Sequence, residues 1–460
     1  MKSRKKETGK KSSMKTSSNK KSSTKKSSTK KSSNIELKFS NLYTFKNNLH
    51  YHIINYQNKN DNTILNNLDS YNIYTYNELK MIEDDYKKKS KIEKTILDKK
   101  VNDDDKKIIK QVSEGYARGV SKYVLINYNL PRKTSNGYMK LWEMYMSIPQ
   151  LIQNKKKQIN VFHLAEAPGQ WINCTTHFIN TKRHNIKKYN WLANSLNHKN
   201  PENMKKYGKG VFGDDYGFIK KNPQKWLYGK DNTGDITKSE NIRWFRNYMK
   251  KIEPLNLITG DGGMGGSNLV ELQKIDYAQV CMVASCASIG TNCIIKHFHH
   301  MNNKLPASQK GSGFIVGFLY IYYLMFEDIR LIKPHTSSPN SGEFYVVGLK
   351  FKGLKEDIID KLLLQLDNFQ ENNCFFNKAD IKEEFVIQIL DFIHTLINKH
   401  ITQQKFIKLF LDEFIDKTKT KTKTKTKTEN TTIGKYLDKD FIKQIQSKRY
   451  KEWIKTYKFE

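Results

Sequence analysis

The chain has 460 residues, of which 81 are Lys or Arg and 46 are Asp or Glu, so its formal net charge is +35. With 24 Gly, 9 Pro and 5 Cys, the composition excludes a collagen-like repeat and a disulfide-stapled scaffold. The aromatic fraction of 12% is too high for a chain that is disordered throughout, so a folded core is expected.

Two low-complexity segments carry about half of the excess charge. Residues 1–33 repeat a Lys-Lys-Ser-Ser/Thr unit and have a net charge of +12. Residues 417–428 are six Lys-Thr pairs and add +6, which leaves +17 elsewhere. We expect both segments to be disordered, because they offer almost no apolar side chains to bury. They either solubilise the chain or tether it to RNA, DNA or an anionic surface.

The sequence shows no signal for export or membrane insertion. No run of 18 apolar residues is present, so no transmembrane helix is predicted. The N-terminus lacks the apolar core of a secretory signal. The five Cys form no CxxC pair and are typical of free intracellular thiols. We therefore expect an intracellular protein that does not bind membranes.

The predicted elements change in kind along the chain. Residues 35–130 are polar with weak periodicity, and helices are predicted at 82–97 and 104–122. Residues 131–353 alternate β-rich runs with helical patterns. Strands are predicted at 161–165, 189–193, 256–259, 292–298, 328–333 and 344–351, and helices at 270–285 and 311–326. This alternation predicts an α/β fold with a mainly parallel sheet.

The C-terminal part of this region differs from the rest. Only a short polar loop, 334–343, separates the last two predicted strands, so they should form an antiparallel hairpin at one edge of the sheet. Residues 354–415 then have purely helical periodicity. After the Lys-Thr pairs, residues 433–457 predict one more amphipathic, basic helix.

Three turns that follow predicted strands are candidate ligand sites. The first, Glu166-Ala-Pro-Gly169, lacks both GxGxxG and GK[ST], which argues against a dinucleotide or a Walker A phosphate site. The second places Asp235 where it could accept a hydrogen bond from an adenine amine. The third places Asp261 before a Gly-rich loop. Each alone is more often a plain turn or a helix cap than a ligand site, but three at one sheet edge favour a site.

Charged residues in the last strands extend this pattern. Lys296 lies in an apolar strand, where burial would disfavour its charge; the alternative is an edge-strand Lys that reaches solvent. Glu343 alone would be a solvent-facing loop residue. The three His residues beside Lys296 are expected to be a surface group without carboxylate partners, so no metal site is predicted: His297, His299 and His300.

Together these residues resemble the FtsJ/RrmJ-type S-adenosylmethionine-dependent RNA 2′-O-methyltransferases, in particular the cap-type branch of eukaryotes and large DNA viruses. That family has an ordered Lys–Asp–Lys–Glu tetrad on a class I (Rossmann-like) methyltransferase sheet. The tetrad matches Lys140, Asp261, Lys296 and Glu343. The resemblance covers about 115–353 and implies a mainly parallel seven-stranded sheet with an antiparallel last strand. The helical flanks and the disordered basic tail are predicted from periodicity and composition instead.

The resemblance also implies how S-adenosylmethionine would be bound, without a metal. Adenine would contact Asp235, although an insertion at 207–229 makes Asp214 or Asp215 alternatives. The remaining cofactor contacts would be Glu166, Pro168, Gly169 and Trp171. Two departures from the cap branch are present: Ser338 stands where Arg is usual, and Gly342 separates the usual Ser-Glu pair.

Methyl transfer to a ribose hydroxyl requires an in-line approach and the removal of a proton. Lys296 is the expected general base, because burial and the nearby Lys140 both favour its neutral form. Lys140 would orient the ribose and stabilise the developing oxyanion. Asp261 would hold Lys296, and Glu343 would fix Lys140.

The expected function is therefore an RNA 2′-O-methyltransferase that acts on the cap-adjacent nucleotide of mRNA, with the capping or transcription machinery as possible partners. Two alternatives stay open: a ribosomal RNA methyltransferase, and a non-catalytic RNA-binding or virion protein on the same scaffold. The expected location is the cytoplasm or, for a viral protein, the viral factory or virion. The predicted organisation is a disordered Lys/Ser-rich tail (1–34), an N-terminal extension (35–114), the methyltransferase domain (115–353), a helical appendix (354–416), a Lys-Thr linker (417–430) and a basic C-terminal helix (431–460).

Overall fold

The computed structural model describes residues 49–53, 63–68, 73, 76, 84, 87, 94, 103–128, 134–153, 155–208, 213–263, 268–300, 312–421 and 439–459. All of them belong to one compact unit, Asn48–Glu460. The predicted Lys/Ser-rich tail, most of the helix predicted at 82–97 and the second half of the Lys-Thr linker lie outside the described residues. No helix in the described ranges is long and apolar enough to cross a membrane.

An eight-stranded sheet forms the centre of this unit. Its strands are β1 (Leu49–Ile53), β2 (Gln158–Leu164), β3 (Lys188–Asn194), β4 (Trp226–Leu227), β5 (Leu257–Gly260), β6 (Asn292–Phe298), β7 (Phe326–Lys333) and β8 (Glu343–Phe351). Their order is β1-β7-β8-β6-β5-β2-β3-β4. Strands β2 to β6 are parallel, and β8 runs antiparallel to both β6 and β7. The predicted class I sheet with an antiparallel last strand is confirmed.

The sheet differs from the prediction at its edge. Strand β1 pairs antiparallel with β7 and adds an eighth strand, so the β7–β8 hairpin is not the outermost part of the sheet. The sequence of β1 is only Leu-His-Tyr-His-Ile, within an Asn-rich region. Five residues give too short a pattern to identify a strand, and pairing with an otherwise open edge supplies the missing stabilisation.

Twelve helices with defined bounds accompany the sheet in the described residues. They are α1 (Asp103–Ser113), α2 (Val120–Asn127), α3 (Asn136–Ser147), α4 (Gln170–Lys182), α5 (Pro201–Tyr207), α6 (Phe218–Lys221), α7 (Ser239–Met249), α8 (Leu269–Cys286), α9 (Ser312–Met325), α10 (Glu356–Asp367), α11 (Glu383–Lys421) and α12 (Lys439–Tyr457). The helix predicted at 104–122 is divided into α1 and α2. Gly115 and Gly119 between them have φ values of +57° and +99°, which interrupt a right-handed helix.

The helical appendix shares its hydrophobic core with the sheet. Helices α7 to α11 and the sheet bury their apolar side chains in one cluster, which includes Phe162, Tyr277 and Phe392. The rings of Tyr277 and Phe375 stack with centroids 4.5 Å apart. Helix α11 continues to Lys421, into the predicted Lys-Thr linker. Once a helix is nucleated, each further residue adds a hydrogen bond, and Lys is a good helix former.

The C-terminal helix α12 packs against α1, α2 and α3. The guanidinium of Arg449 donates to the carbonyl oxygens of Val112 and Gly115, at 3.2 and 3.1 Å. Trp453 and Phe459 are fully buried, and the Phe459 ring lies 4.5 Å from that of Trp142. The predicted helix at 433–457 is therefore present from Lys439 onwards and docked; residues 433–438 lie outside the described residues.

Candidate active site

Four charged side chains that are far apart in sequence meet at the carboxyl ends of β5 and β6. The Nζ of Lys140 lies 2.5 Å from Glu343 Oε1. The Nζ of Lys296 lies 3.1 Å from Asp261 Oδ1 and donates to the backbone oxygen of Asp261 at 2.8 Å. The Asp261 side chain is 27% exposed, more than twice as much as the other three, so the cluster opens to solvent at Asp261.

Strand pairing explains why these side chains converge. Strands β6 and β8 pair Lys296 with Tyr345 and Phe298 with Glu343. Side chains two residues apart point to the same face of a sheet, and so do the side chains of directly paired residues. The side chains of Lys296, Phe298, Glu343 and Tyr345 therefore lie on one face. The hydroxyl of Tyr345 donates a hydrogen bond to Asp261 Oδ1 at 3.1 Å and so helps to fix the position of the Asp261 carboxylate. Tyr345 was not singled out from the sequence, although the period of two from Glu343 would have marked it.

The Lys140–Glu343 pair is ionised. Burial opposes the charge of Lys140, but the Coulombic attraction of Glu343 and Asp261 raises its pKa. Burial likewise opposes the charge of Glu343, but Lys140, Lys333 and Lys296 together hold its pKa well below the usual value. The hydroxyl of Ser337 also donates to Glu343 Oε1, at 2.6 Å.

Lys333 is a buried residue of the site that sequence reasoning did not assign. Its Nζ donates to the backbone oxygens of Ser341 and Glu343, both at 2.7 Å, and so closes the loop between β7 and β8. Burial lowers the pKa of Lys333 to about 7, although Glu343 acts in the opposite direction. In the sequence, the Lys333-Pro334 pair at the end of β7 was the only sign that this lysine belongs to the site. The pair does not indicate which carbonyl groups accept hydrogen bonds from the lysine.

A cavity of about 380 Å³ adjoins the cluster at Asp261, the one of the four charged residues that lines it among the described residues. Part of its wall lies at or just beyond the ends of three parallel strands, with Ala165 after β2, Asn194 in β3 and Asp261 after β5; residues of α5 and α8 contribute to the rest. This is the position where open α/β sheets bind ligands. Gly263 also lines it, and a Cβ there would lie 3.2 Å from Lys296 Cε, so the glycine lets the backbone approach the lysine closely.

The structure distinguishes between the candidate acids for the adenine contact. Asp235 lines the cavity, and its Oδ1 accepts hydrogen bonds from the Thr237 backbone and hydroxyl at 2.9 and 2.7 Å. Asp214 instead accepts from the backbone N–H groups of Ile219 and Lys220 and caps α6. Among the described residues that line the cavity, neither Asp214 nor Asp215 occurs.

The turn after β2 forms part of the cavity wall and is held in place by hydrogen bonds to α4. Glu166 is buried, and its Oε1 accepts from the backbone N–H groups of Trp171 and Ile172, at 2.7 and 3.0 Å, which caps α4. Burial raises the pKa of Glu166 to about 8. The indole of Trp171 donates to the Gly137 carbonyl in α3. Ala165 and Ala167 of this turn line the cavity. The residues that were predicted to contact the cofactor are not among the described lining residues: Glu166, Pro168, Gly169 and Trp171.

The prediction for the histidines is wrong. His297 and His300 are buried, and both contact the carboxylate of Asp276 in α8, at 3.1 and 2.5 Å. His299 is half-buried. Asp276 also accepts from the backbone N–H of Phe298, so the cluster fixes the end of the strand that carries Lys296. More than twenty residues separate Asp276 from these histidines, so local sequence patterns could not join them. The described residues contain no group of three or more His, Cys, Asp or Glu side chains that could hold a metal ion.

Comparison with known families agrees with this geometry. Residues 134–351 match the model of the FtsJ-like methyltransferase family. These residues form an FtsJ-like methyltransferase domain. All four charged residues and the described cavity lining fall within the FtsJ-like domain, whereas α1, α2 and α10 to α12 lie outside it.

Similar proteins occur in large DNA viruses and in vertebrates. Uncharacterized protein L511 of Acanthamoeba polyphaga mimivirus is 27% identical over 275 residues, which are 58% of this chain and 32% of that protein. Cap-specific mRNA (nucleoside-2'-O-)-methyltransferase 2 of Mus musculus is 24% identical over 263 residues, 55% of this chain and 32% of that protein. Probable methyltransferase EP424R of African swine fever virus is 26% identical over 271 residues, 55% of this chain and 58% of that protein. The chain thus covers about a third of the length of the first two relatives and 58% of the third.

Proposed function

We propose that the chain transfers a methyl group from S-adenosylmethionine to a ribose 2′-hydroxyl of RNA, at the cap-adjacent nucleotide of mRNA. The observation that carries this proposal is the pair of contacts Lys140–Glu343 and Lys296–Asp261 in an FtsJ-like domain, beside a strand-end cavity that Asp261 lines. The proposed base, a second cation and a ligand cavity would then be close together, as this transfer requires.

The residues present fit S-adenosylmethionine. The cavity is within the usual size range of small-molecule sites, and Asp235 offers a carboxylate to an adenine amine at one side. Asp261 also lines the cavity and would face the positive charge of the sulfonium. The cofactor supplies a methyl group that is already activated, so the protein has to orient the acceptor and take up its proton.

Lys296 is the proposed base. A neutral amine has two hydrogens, and Asp261 presents two acceptors, its Oδ1 and its backbone oxygen, to the Lys296 Nζ. The nitrogen lone pair is then directed away from Asp261 and can take the proton of the 2′-hydroxyl. Lys140 stays cationic beside Glu343 and would hold the ribose oxygen while negative charge develops on it.

The choice of capped mRNA rests on two observations. One of the relatives is named as a cap-specific mRNA 2′-O-methyltransferase. In addition, the segment that begins with Lys333-Pro334 and ends at Glu343 resembles that of the cap branch, and Lys333 and Ser337 both donate hydrogen bonds to Glu343.

Methyl incorporation from a labelled donor tests the proposal. Capped transcripts, the same transcripts without a cap, and ribosomal RNA are compared, and the labelled nucleotide is identified after digestion. We expect label on the 2′-oxygen of the nucleotide next to the cap. Preferential labelling of ribosomal RNA would support the ribosomal alternative. Failure of the protein to bind S-adenosylmethionine at equilibrium would support the non-catalytic scaffold.

A further inference from the structure

Helix α12 lies outside the FtsJ-like domain but is joined to the helix that carries Lys140. The indole N–H of Trp453 donates to Glu143 Oε1 at 2.9 Å, and the indole N–H of Trp142 donates to the backbone oxygen of Tyr457 at 3.0 Å. Glu143 is one turn beyond Lys140 in α3, about 4.5 Å further along the helix axis. The buried face of α12 is therefore anchored one helical turn from Lys140.

The two faces of α12 have different compositions. The buried face consists of side chains three or four residues apart, which pack against α1 to α3: Ile442, Ile445, Arg449, Trp453 and Tyr457. On the opposite face Lys448, Lys451 and Lys455 are exposed and have the same spacing, so they form a row about 10 Å long, here called the lysine row. Residues 439–459 contain seven basic and two acidic residues, a net charge of +5.

The lysine row has no acidic partner in the described part of the chain. Like charges three and four residues apart on a helix repel each other. Glu452 has the same spacing from Lys448 and Lys455. However, its carboxylate accepts from the Tyr116 hydroxyl at 2.7 Å, so an anion against the row would relieve the remaining repulsion. The other fully exposed side chains between 442 and 459 are Lys443, Gln444, Thr456 and Lys458. A membrane-surface helix needs an exposed apolar face, and a protein interface needs apolar or aromatic anchors; the apolar face of α12 is already buried.

We propose that the lysine row binds the phosphate backbone of the RNA substrate and holds it beside Lys140 and Lys296. The proposal rests on the proposed function, since it names the surface that receives the same RNA. Phosphate contacts position a nucleic acid without reading its sequence, and they make binding dependent on salt. The lysine row thus supplies affinity and placement, and the FtsJ-like domain supplies the chemistry.

The test is the triple variant Lys448→Gln/Lys451→Gln/Lys455→Gln in the full chain. Binding of a fluorescent capped RNA is measured by anisotropy without the methyl donor, over a range of salt concentrations. Each lost contact to single-stranded RNA should reduce the slope of log K against log salt by about 0.7, so three contacts reduce it by about 2. We expect roughly tenfold weaker binding and a correspondingly higher KM for RNA. The kcat at saturating RNA and the affinity for S-adenosylmethionine should be unchanged.

The matched control is Lys155→Gln/Lys156→Gln/Lys157→Gln. These lysines are exposed and precede β2, at the end of the sheet opposite the cavity, and the change in net charge is the same. The control should bind RNA as the unmodified protein does. Three results would each overturn the proposal. The first is an equal loss of RNA binding in both variants, and the second is an unchanged salt slope in the lysine-row variant. The third is binding that depends on the row with phosphatidylserine vesicles but not with RNA. Failure of the proposed function appears separately, as the absence of methyl transfer by the unmodified protein.

Discussion

At the scale of single residues, the site consists of buried charges that depend on one another. Lys140 is charged because Glu343 and Asp261 surround it, and Glu343 is charged because three lysines surround it. A buried charge that loses its partner becomes strongly unfavourable, because the protein interior solvates it poorly. Each member of the cluster therefore affects the stability of the fold as well as the chemistry.

Glu343→Gln tests this dependence. The substitution keeps the shape of the side chain but removes the carboxylate in direct contact with the Lys140 ammonium and leaves Asp261 as the strongest remaining counter-charge, so we expect the free energy of unfolding to fall by about 3 kcal/mol. Urea unfolding measures the change. Glu327→Gln is the control, because Glu327 pairs with Lys350 on the exposed side of the same hairpin. There the loss should be below about 1 kcal/mol. Equal effects at the two positions would contradict the account.

Glu166 predicts a dependence of stability on pH. Burial raises its pKa from 4.5 in a free side chain to about 8 in the folded protein, so the folded state binds the proton more tightly. This contribution to stability is fully present below pH 4.5 and is lost as the pH rises through 8. Glu166→Gln still offers an oxygen to the Trp171 and Ile172 N–H groups and does not titrate. Between pH 5 and 8 the unmodified protein should lose stability relative to this variant; parallel curves of unfolding free energy against pH would show that Glu166 does not titrate in this range.

At the scale of elements, α3 joins the active-site loop to the C-terminal helix. Glu143 accepts hydrogen bonds from the backbone N–H groups of His335 and Thr336, at 2.6 and 2.9 Å, and from the Trp453 indole. Lys140, on the same helix face, holds Glu343 at the other end of that loop. The loop between β7 and β8 is thus attached to α3 at two points, Glu143 and Lys140. Helix α12 contributes a further hydrogen bond to Glu143 through the Trp453 indole.

Trp453→Phe tests whether α12 supports the site through Glu143. The indole N–H is lost while an aromatic ring remains, so the buried Glu143 carboxylate loses one of its donors. We expect a loss of about 1–3 kcal/mol in unfolding free energy and a lower kcat, with little change in the KM for RNA. This differs from the lysine-row variant, in which KM changes and kcat does not. Trp244→Phe, at a half-exposed indole beside Tyr248, should leave both constants near their original values.

At the scale of the whole molecule, the sequence predicted the central sheet well and long-range contacts poorly. Six strands were predicted within three residues of their observed limits, because runs of β-branched and aromatic residues are bounded by polar turns. The order of the tetrad was recognisable because each charged residue lies in a conspicuous local context, such as Lys296 among apolar neighbours. What remained hidden depends on tertiary contact: the edge pairing of β1, the Asp276–histidine cluster and the buried ammonium of Lys333.

In the sequence, most of the net charge lies away from the residues of the proposed reaction. Of the net charge of +35, the two low-complexity segments carry +18 and residues 439–459 carry a further +5. These charges would favour encounter with the RNA of the proposed function, whereas the proposed reaction depends on two lysines that are largely buried beside acids. In this proposal, net charge concerns the class of partner, and the placement of a few side chains determines the chemistry.

The central claim is that Lys296 removes the proton during methyl transfer to RNA. The most direct test is the single-turnover rate of label transfer from S-adenosylmethionine to the first transcribed nucleotide of capped RNA, for the unmodified protein and for Lys296→Ala. The account predicts transfer by the unmodified protein and a rate at least 10²-fold lower in the variant, with binding of donor and RNA retained. Transfer at the original rate by Lys296→Ala would contradict it.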